Sequence, residues 1–318
     1  MAERIACLLP SATEIVCALG LAERVVGVSH ECDFPAAIVG RPVLTEPKLD
    51  PRGSSAAIDA AVRRLVADGL SVYRIREAAL RAARPDLIVT QEQCEVCAVS
   101  FSEVEAAAHA LLETPAAIVS LKPNRLDEVL DDFARVAAAA GVPEAGARLI
   151  AASRQRLERV RARVAPARSR PRVACIEWIE PLMVAGNWIP ELVELAGGTY
   201  DLVAAGAHSP SIGWDALVAA QPDVVIVMPC GFPLAQTRPE LPALTARREW
   251  QALPAVRNGR AYAVDGNAYL NRPGPRLIDS AELLAGLIQP GFCAGLLPDG
   301  AWERIEPEDA HGDTEARR

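Results

Sequence analysis

Four of the eight cysteines follow segments that read as buried strands, where the loops of α/β proteins bind ligands. Cys94 and Cys97 have the C-x-x-C spacing with which two thiolates chelate one metal or form a reversible disulfide. Thiolates suit zinc, an iron–sulfur cluster or cobalt. The pattern predicts a metal site, although the pair could instead only pack a loop. The predicted metal ligands are Cys32, Cys94, Cys97 and Cys230.

Polar side chains surround these cysteines in the sequence. His30 and Glu31 precede Cys32, and Glu92 lies just before Cys94. Such neighbours suit a dry thiol core poorly, so we expect His30, Glu31 and Glu92 to contact a ligand. The other four cysteines lie within strand or helix patterns, where a thiol behaves as a small apolar side chain. Core positions are therefore expected for Cys7, Cys17, Cys175 and Cys293.

Two further segments have the residue types of a ligand site. The segment Pro10–Thr13 follows the first predicted strand and presents backbone N–H groups at a helix start, which suits a polar or anionic ligand edge. Arg272 lies in a Pro-rich segment, where its guanidinium could bind an amide or carboxylate of a ligand or form a salt bridge. The ligand contacts predicted from these segments are Pro10, Ser11, Ala12, Thr13 and Arg272.

Composition and missing motifs exclude several classes of function. The chain has 318 residues and a net charge of -8, and no basic block is interleaved with aromatics, so nucleic acid is not expected as a partner. The sequence has no phosphate loop, nucleophile elbow or dinucleotide fingerprint, which argues against an enzyme. Met1–Arg4 leads directly into a predicted strand without a secretory leader. A cytoplasmic protein without membrane insertion is therefore expected.

The two halves of the chain resemble each other. Residues 83–89 and 220–226 both read as the end of a helix, a Pro-Asp turn and a buried strand, so each half predicts a lobe with a parallel sheet. Residues 144–164 carry a helical pattern long enough for a stiff bridge. The predicted fold is α/β, with two Rossmann-like lobes bridged by a long α-helix. Its predicted parts are an N-terminal ligand-binding lobe (1–124), a bridging helical segment (125–168), a C-terminal ligand-binding lobe (169–292) and a partly disordered extension (293–318).

Together these segments resemble the substrate-binding proteins of ABC importers for iron-siderophores and cobalamin. The resemblance covers residues 4–290, and its cobalamin-binding members are the most similar. It is carried by Leu9–Glu14, by Val26–Ser29 with Asp33–Pro35, by the two Pro-Asp strands and by Asn271–Arg276.

The resemblance implies a ligand held in a cleft between the lobes, with aromatic contacts from Trp178 and Tyr269. Where the family offers a first-lobe aromatic, this chain has His30 and Glu31. The resemblance also implies docking on a permease through one acidic residue per lobe, positions that Glu77 and Asp215 match, although a cytosolic chain would not meet such a permease.

The sequence therefore predicts non-catalytic binding of cobalamin, a related corrinoid or another metal chelate. The expected role is that of a cytosolic carrier, buffer or sensor. The alternative is a zinc or iron–sulfur protein, or a thiol-redox protein, that uses the cysteine-rich rim.

Overall fold

A computed structural model describes residues 1–68, 71–91, 101–112 and 115–306. The chain divides into two compact units, of which the first contains residues 1–160 and 272–280. The second contains residues 161–271 and 281–318. The lobe boundaries read from the sequence differ from this division, since they give residues 272–280 to the C-terminal lobe, and they stay predictions. Of the extension predicted to be partly disordered (293–318), residues 307–318 lie outside the described residues.

The first unit is built around short apolar strands that alternate with helices. Within its described residues, a four-stranded sheet has the order β2-β1-β5-β6 with all neighbours parallel, and β3 pairs with β4 in a separate antiparallel ribbon. Its strands are β1 (Ile5–Cys7), β2 (Val25–Val28), β3 (Thr45–Pro47), β4 (Tyr73–Ile75), β5 (Leu87–Gln91) and β6 (Ala117–Leu121). Its helices are α1 (Pro10–Ala18), α2 (Ser55–Ala67), α3 (Glu77–Ala83), α4 (Phe101–Leu111), α5 (Leu126–Ala139) and α6 (Pro143–Val164), the last of which continues into the second unit.

The second unit repeats this architecture with antiparallel edges. Its described strands form one five-stranded sheet in the order β11-β10-β9-β7-β8, in which β10, β9 and β7 are parallel and both edge strands are antiparallel. Antiparallel edges are common on otherwise parallel sheets. The strands are β7 (Val173–Trp178), β8 (Met183–Val184), β9 (Val224–Val227), β10 (Ala261–Val264) and β11 (Trp302–Arg304). The helices are α7 (Ile189–Leu195), α8 (Trp214–Ala220), α9 (Leu234–Thr237), α10 (Pro242–Thr245), α11 (Arg248–Ala252), α12 (Pro254–Arg257), α13 (Arg276–Ile288) and α14 (Pro290–Cys293). The first turn of α13, up to residue 280, belongs to the first unit.

The Pro-Asp repeat has the same structural role in both units. Asp86 accepts backbone N–H bonds from Glu3 and Arg4 at the start of β1, at 2.9 and 3.0 Å. Asp223 accepts the backbone N–H of Arg172 at 2.9 Å, just before β7 begins. Each aspartate therefore joins the start of its own strand to the start of the neighbouring strand.

The long helix predicted between the halves is confirmed as α6. Its buried apolar residues, Leu157, Val160 and Val164, recur at helical spacing, while both of its glutamates and all but one of its arginines are exposed. The model thus has two Rossmann-like α/β units connected through a long helix, as predicted. Among the described helices, none is both long and apolar enough to cross a membrane.

Candidate functional site

In the first unit, the loop after β2 carries several of the predicted ligand contacts. The β3–β4 ribbon fixes this loop through the Thr45 hydroxyl, which accepts the backbone N–H of His30 at 3.1 Å and lies 2.8 Å from His30 Nδ1. The same hydroxyl donates to Ser29 Oγ at 3.1 Å. Ser29 Oγ in turn accepts the backbone N–H of Glu31 at 3.3 Å. The backbone N–H of His30 is therefore bound by Thr45, and that of Glu31 by Ser29.

These hydrogen bonds determine the tautomer of His30. The single proton of the Thr45 hydroxyl is directed to Ser29, so Thr45 must accept from His30 and Nδ1 must carry the imidazole proton. Nε2 is then an unprotonated acceptor, and within the described residues this buried atom has no hydrogen-bond partner. Burial lowers the pKa of His30 to about 4, partly offset by Glu46, so the ring is neutral at physiological pH.

Glu31 is a half-buried carboxylate with one oxygen in use. Its Oε1 accepts the Tyr73 hydroxyl at 2.7 Å, and the Tyr73 ring lies 4.9 Å from the ring of His30. Burial raises the pKa of Glu31, and the Tyr73 hydrogen bond and Arg272 only partly offset that effect. This side of the loop therefore presents hydrogen-bond acceptors.

Cys32 is a protonated thiol in this arrangement. Its Sγ lies 3.0 Å from Thr13 Oγ1, and burial raises its pKa to about 12. Cys7, Cys175 and Cys293 are buried core thiols as expected, whereas Cys17 is only half-buried.

The predicted four-cysteine metal site is only partly described. Glu92, Cys94 and Cys97 lie outside the described residues. Cys32 and Cys230 belong to different units, and among the described residues no group of three or more His, Cys, Asp or Glu side chains is placed to hold a metal ion. The four-cysteine site stays a prediction.

The start of α1 is more buried than the sequence suggested. Ser11, Ala12 and Thr13 are buried, and the backbone N–H of Thr13 already donates to Leu9 at 3.3 Å. Pro10 is half-buried and has no N–H to offer. In the described part of the chain, the buried Ser11 Oγ has no hydrogen-bond partner. Ligand binding by this segment stays a prediction.

Arg272 lies beside the same loop within an ion cluster. Its guanidinium pairs with Asp33 at 2.6 Å and with Glu14 at 3.6 Å. Arg276 pairs with Glu14 at 2.6 Å and lies 4.4 Å above the Phe34 ring. The salt-bridge alternative for Arg272 is therefore what the structure contains, and ligand binding by Arg272 stays a prediction.

Sequence reasoning missed Glu14 and Arg276. Glu14 has a side chain only 1% exposed, and its partner Arg276 is 262 positions away in the chain. The available signal was Glu14 itself, which is the one charged residue of helix α1.

In the second unit, an aromatic pair follows the carboxyl ends of two strands. Trp178 ends β7 and meets Phe232 edge to face, with ring centroids 5.2 Å apart. Phe232, which sequence reasoning missed, is buried after β9, and Trp178 is half-buried. The sequence signal for Phe232 was its position directly after the turn Pro229-Cys230-Gly231, which follows a predicted strand. The pair forms an apolar wall with the indole partly accessible.

Polar groups flank this aromatic pair. Burial raises the pKa of Glu177, which accepts a hydrogen bond from Ser209 Oγ. Tyr269 and Cys230 are half-buried, and the backbone N–H of Cys230 donates to the Glu177 carbonyl at 3.0 Å. Trp188 is a packing residue, since its buried indole N–H donates to the Leu270 carbonyl at 2.7 Å.

Three comparisons with known proteins agree on the architecture. Residues 5–268 match the family model described as periplasmic binding protein. A vitamin B12-binding protein of Vibrio cholerae is 24% identical over 292 residues, which cover 88% of this chain and 87% of the relative. The crystal structure of the periplasmic vitamin B12 binding protein of Vibrio cholerae superposes with a TM-score of 0.65 at 23% identity, covering 91% of this chain and 97% of that one.

A haem-binding relative has an equally similar fold. The periplasmic heme binding protein of Pseudomonas aeruginosa superposes with a TM-score of 0.69 at 20% identity, covering 96% of each chain. The comparisons give no support to a zinc or iron–sulfur site.

The cytoplasmic location predicted from the first residues is wrong. The matched family and solved structures are periplasmic binding proteins. The prediction relied on Met1–Arg4, the residues directly before β1. A sorting signal is a segment separate from the folded domain, so residues at the start of the domain do not report the compartment. The compartment therefore has to be inferred from the family and not from the first strand.

Proposed function

Since the chain belongs to the family of periplasmic binding proteins that serve ABC importers, we propose that it binds cobalamin or a closely related corrinoid for import. The observation that carries this proposal is the match to a vitamin B12-binding protein over 88% of the chain. The protein acts by binding and release and catalyses no reaction. The cytosolic carrier role is withdrawn together with the predicted location.

The aromatic wall of the second unit supports a flat, largely apolar ligand. Trp178 is held by the buried ring of Phe232, so its indole keeps one orientation without ligand. A fixed aromatic surface loses little conformational entropy when a macrocycle packs on it. Tyr269 follows strand β10, which pairs with β9, and it adds a second half-buried aromatic side chain to this unit.

The acceptor groups of the first unit support a ligand that carries hydrogen-bond donors. His30 is neutral, and Glu31 has one oxygen bound to Tyr73. Corrinoids carry amide side chains around the macrocycle, and amide N–H groups are donors for both residues.

Co-elution of a corrinoid with the purified protein tests the proposal. We expect hydroxocobalamin to co-elute in gel filtration with a shifted absorbance spectrum. Trp178→Ala should weaken binding by at least about tenfold, because a buried aromatic contact of a ligand site contributes about 2 kcal/mol. The matched control is Trp214→Ala, since Trp214 is a half-buried tryptophan at the start of α8 whose ring lies under the Arg247 guanidinium. Free hydroxocobalamin eluting apart from the wild-type protein would refute the proposal.

Docking on an ABC permease is the second part of the proposal. Glu77 and Asp215 are exposed in the first turns of α3 and α8, the helices that precede the two Pro-Asp strands. With the cytoplasmic location withdrawn, the objection to docking no longer applies. Exposed carboxylates in equivalent positions of two similar units suit a pair of basic sites on a symmetric partner.

A double variant separates docking from ligand binding. We expect Glu77→Gln/Asp215→Asn to bind hydroxocobalamin as tightly as the wild type, but to support cellular corrinoid uptake at least about tenfold less well. Glu144→Gln/Asp201→Asn removes one exposed carboxylate from each unit and is the matched control. Uptake equal to that of the wild type would contradict docking through these two residues.

A further inference from the structure

Glu31 is a carboxylate with one oxygen committed and its backbone immobilised. The Tyr73 hydroxyl donates to Oε1 at 2.7 Å, and the backbone N–H of Glu31 donates to Ser29 Oγ at 3.3 Å. Across the described residues, the second carboxylate oxygen has no hydrogen-bond partner. The side chain is half-buried, so a ligand that reaches it meets an oriented acceptor.

The cations beside Glu31 are already paired. The Arg272 guanidinium contacts Asp33 at 2.6 Å and Glu14 at 3.6 Å, and its side chain is 10% exposed. Arg276 contacts Glu14 at 2.6 Å and lies over Phe34. The two arginines of this cluster are engaged by the carboxylates of Glu14 and Asp33, and the Glu31 side chain has the Tyr73 hydroxyl as its hydrogen-bond donor among the described residues.

A second acceptor lies next to Glu31. Nε2 of His30 is unprotonated and, in the part of the chain that the structure describes, buried without a partner. A buried acceptor without a donor is costly, by about 1–3 kcal/mol, and such atoms are normally satisfied by a ligand or water. The Glu31 carboxylate and His30 Nε2 both accept hydrogen bonds, so an N–H donor of a ligand can bind to them, whereas an ionised ligand carboxylate has only acceptors.

These observations bear on the choice between two macrocycles. Corrinoids of the cobalamin class carry neutral amides at their edge, and haem carries two propionates. We propose, on the basis of the proposed function, that Glu31 is a specificity-determining residue that accepts an amide N–H of the ligand and rejects a carboxylate at the same place. The first unit therefore selects an amide-bearing corrinoid over haem.

A pair of nearly identical ligands tests this selection. Cyanocobalamin and its three monocarboxylate derivatives, in each of which one propionamide is a propionate, differ only in that group. We expect the wild-type protein to bind cyanocobalamin at least about tenfold more tightly than one or more of these derivatives, because the derivative loses a donor and gains a like charge. Haemin should bind more weakly than cyanocobalamin.

The substitution Glu31→Gln assigns the selection to this residue. Gln keeps the shape, removes the charge and supplies a donor amide, so the preference should narrow to within about threefold. The matched control is Glu144→Gln, because Glu144 is an exposed glutamate in the first turn of α6 and is not among the predicted ligand contacts. This control should keep the wild-type preference.

Four results would overturn the inference in distinguishable ways. Equal affinity of the wild-type protein for cyanocobalamin and all three derivatives would overturn it. Tighter binding of haemin than of cyanocobalamin by the wild-type protein would also overturn it. A full preference retained by a folded Glu31→Gln protein would remove the role of Glu31 and leave corrinoid binding intact. If the wild-type protein bound no corrinoid, the proposed function would fail together with the inference.

Discussion

At the scale of single residues, burial decides the protonation states in the candidate site. Desolvation lowers the pKa of His30 to about 4 and raises that of Cys32 to about 12, so both side chains are neutral at physiological pH. Sequence reasoning singled out His30, Glu31 and Cys32 from their position after β2, and the ligand contacts and the metal ligand predicted there stay predictions. Residue type alone does not report desolvation, which depends on the Thr45 and Tyr73 ribbon packed beside the loop.

The lowered pKa of His30 makes stability depend on pH in a defined window. The unfolded chain binds a proton at His30 below about pH 6.5, and the folded protein does so only below about pH 4. Between these values the unfolded state binds more protons, so the folded state loses stability as pH falls, by at most about 3 kcal/mol.

The substitution His30→Gln should remove this part of the pH dependence. We expect urea unfolding between pH 7 and pH 4 to give a smaller loss of unfolding free energy for the variant than for the wild type. The control is His109→Gln, because His109 is exposed on α4. Parallel curves for wild type and His30→Gln would contradict a buried neutral imidazole.

At the scale of elements, the local pattern predicted most strands and helices. The bridging pattern 144–164 corresponds to α6 at Pro143–Val164, and the two Pro-Asp repeats are followed by β5 and β9 as expected. Contacts between distant segments were not predictable in this way. The pairing of β3 with β4, and the return of residues 272–280 to the first unit, join residues far apart in the chain.

The ion cluster holds this returning segment on α1, and Glu14 is its centre. Glu14→Gln should lower the free energy of unfolding by about 3 kcal/mol, because it leaves the poorly exposed Arg276 without its nearest carboxylate. Glu23→Gln removes a matched ion pair with Arg41 in which the glutamate is 92% exposed, and it should cost less than about 1 kcal/mol. Urea denaturation measures both changes, and equal effects would show that the buried cluster does not hold the segment.

At the scale of the whole molecule, the internal repeat accounts for the architecture. In each unit an aspartate joins the starting ends of two neighbouring strands, Asp86 in the first unit and Asp223 in the second. Several candidate residues lie in loops that follow the opposite, carboxyl ends of the strands. The sequence therefore predicted the two-unit α/β fold, whereas the place of the ligand site stays a prediction. It could not predict the compartment, because the sorting of a protein is not encoded in its packed domains.

Equilibrium titration of the intact chain with cyanocobalamin is the most direct test of corrinoid binding. The account predicts one corrinoid per chain with a Kd of about 1 μM or tighter, a free energy of about -8 kcal/mol. Such an affinity suits a flat ligand that packs on a fixed aromatic surface. No detectable heat and no bound corrinoid at about 100 μM of each component would contradict the account.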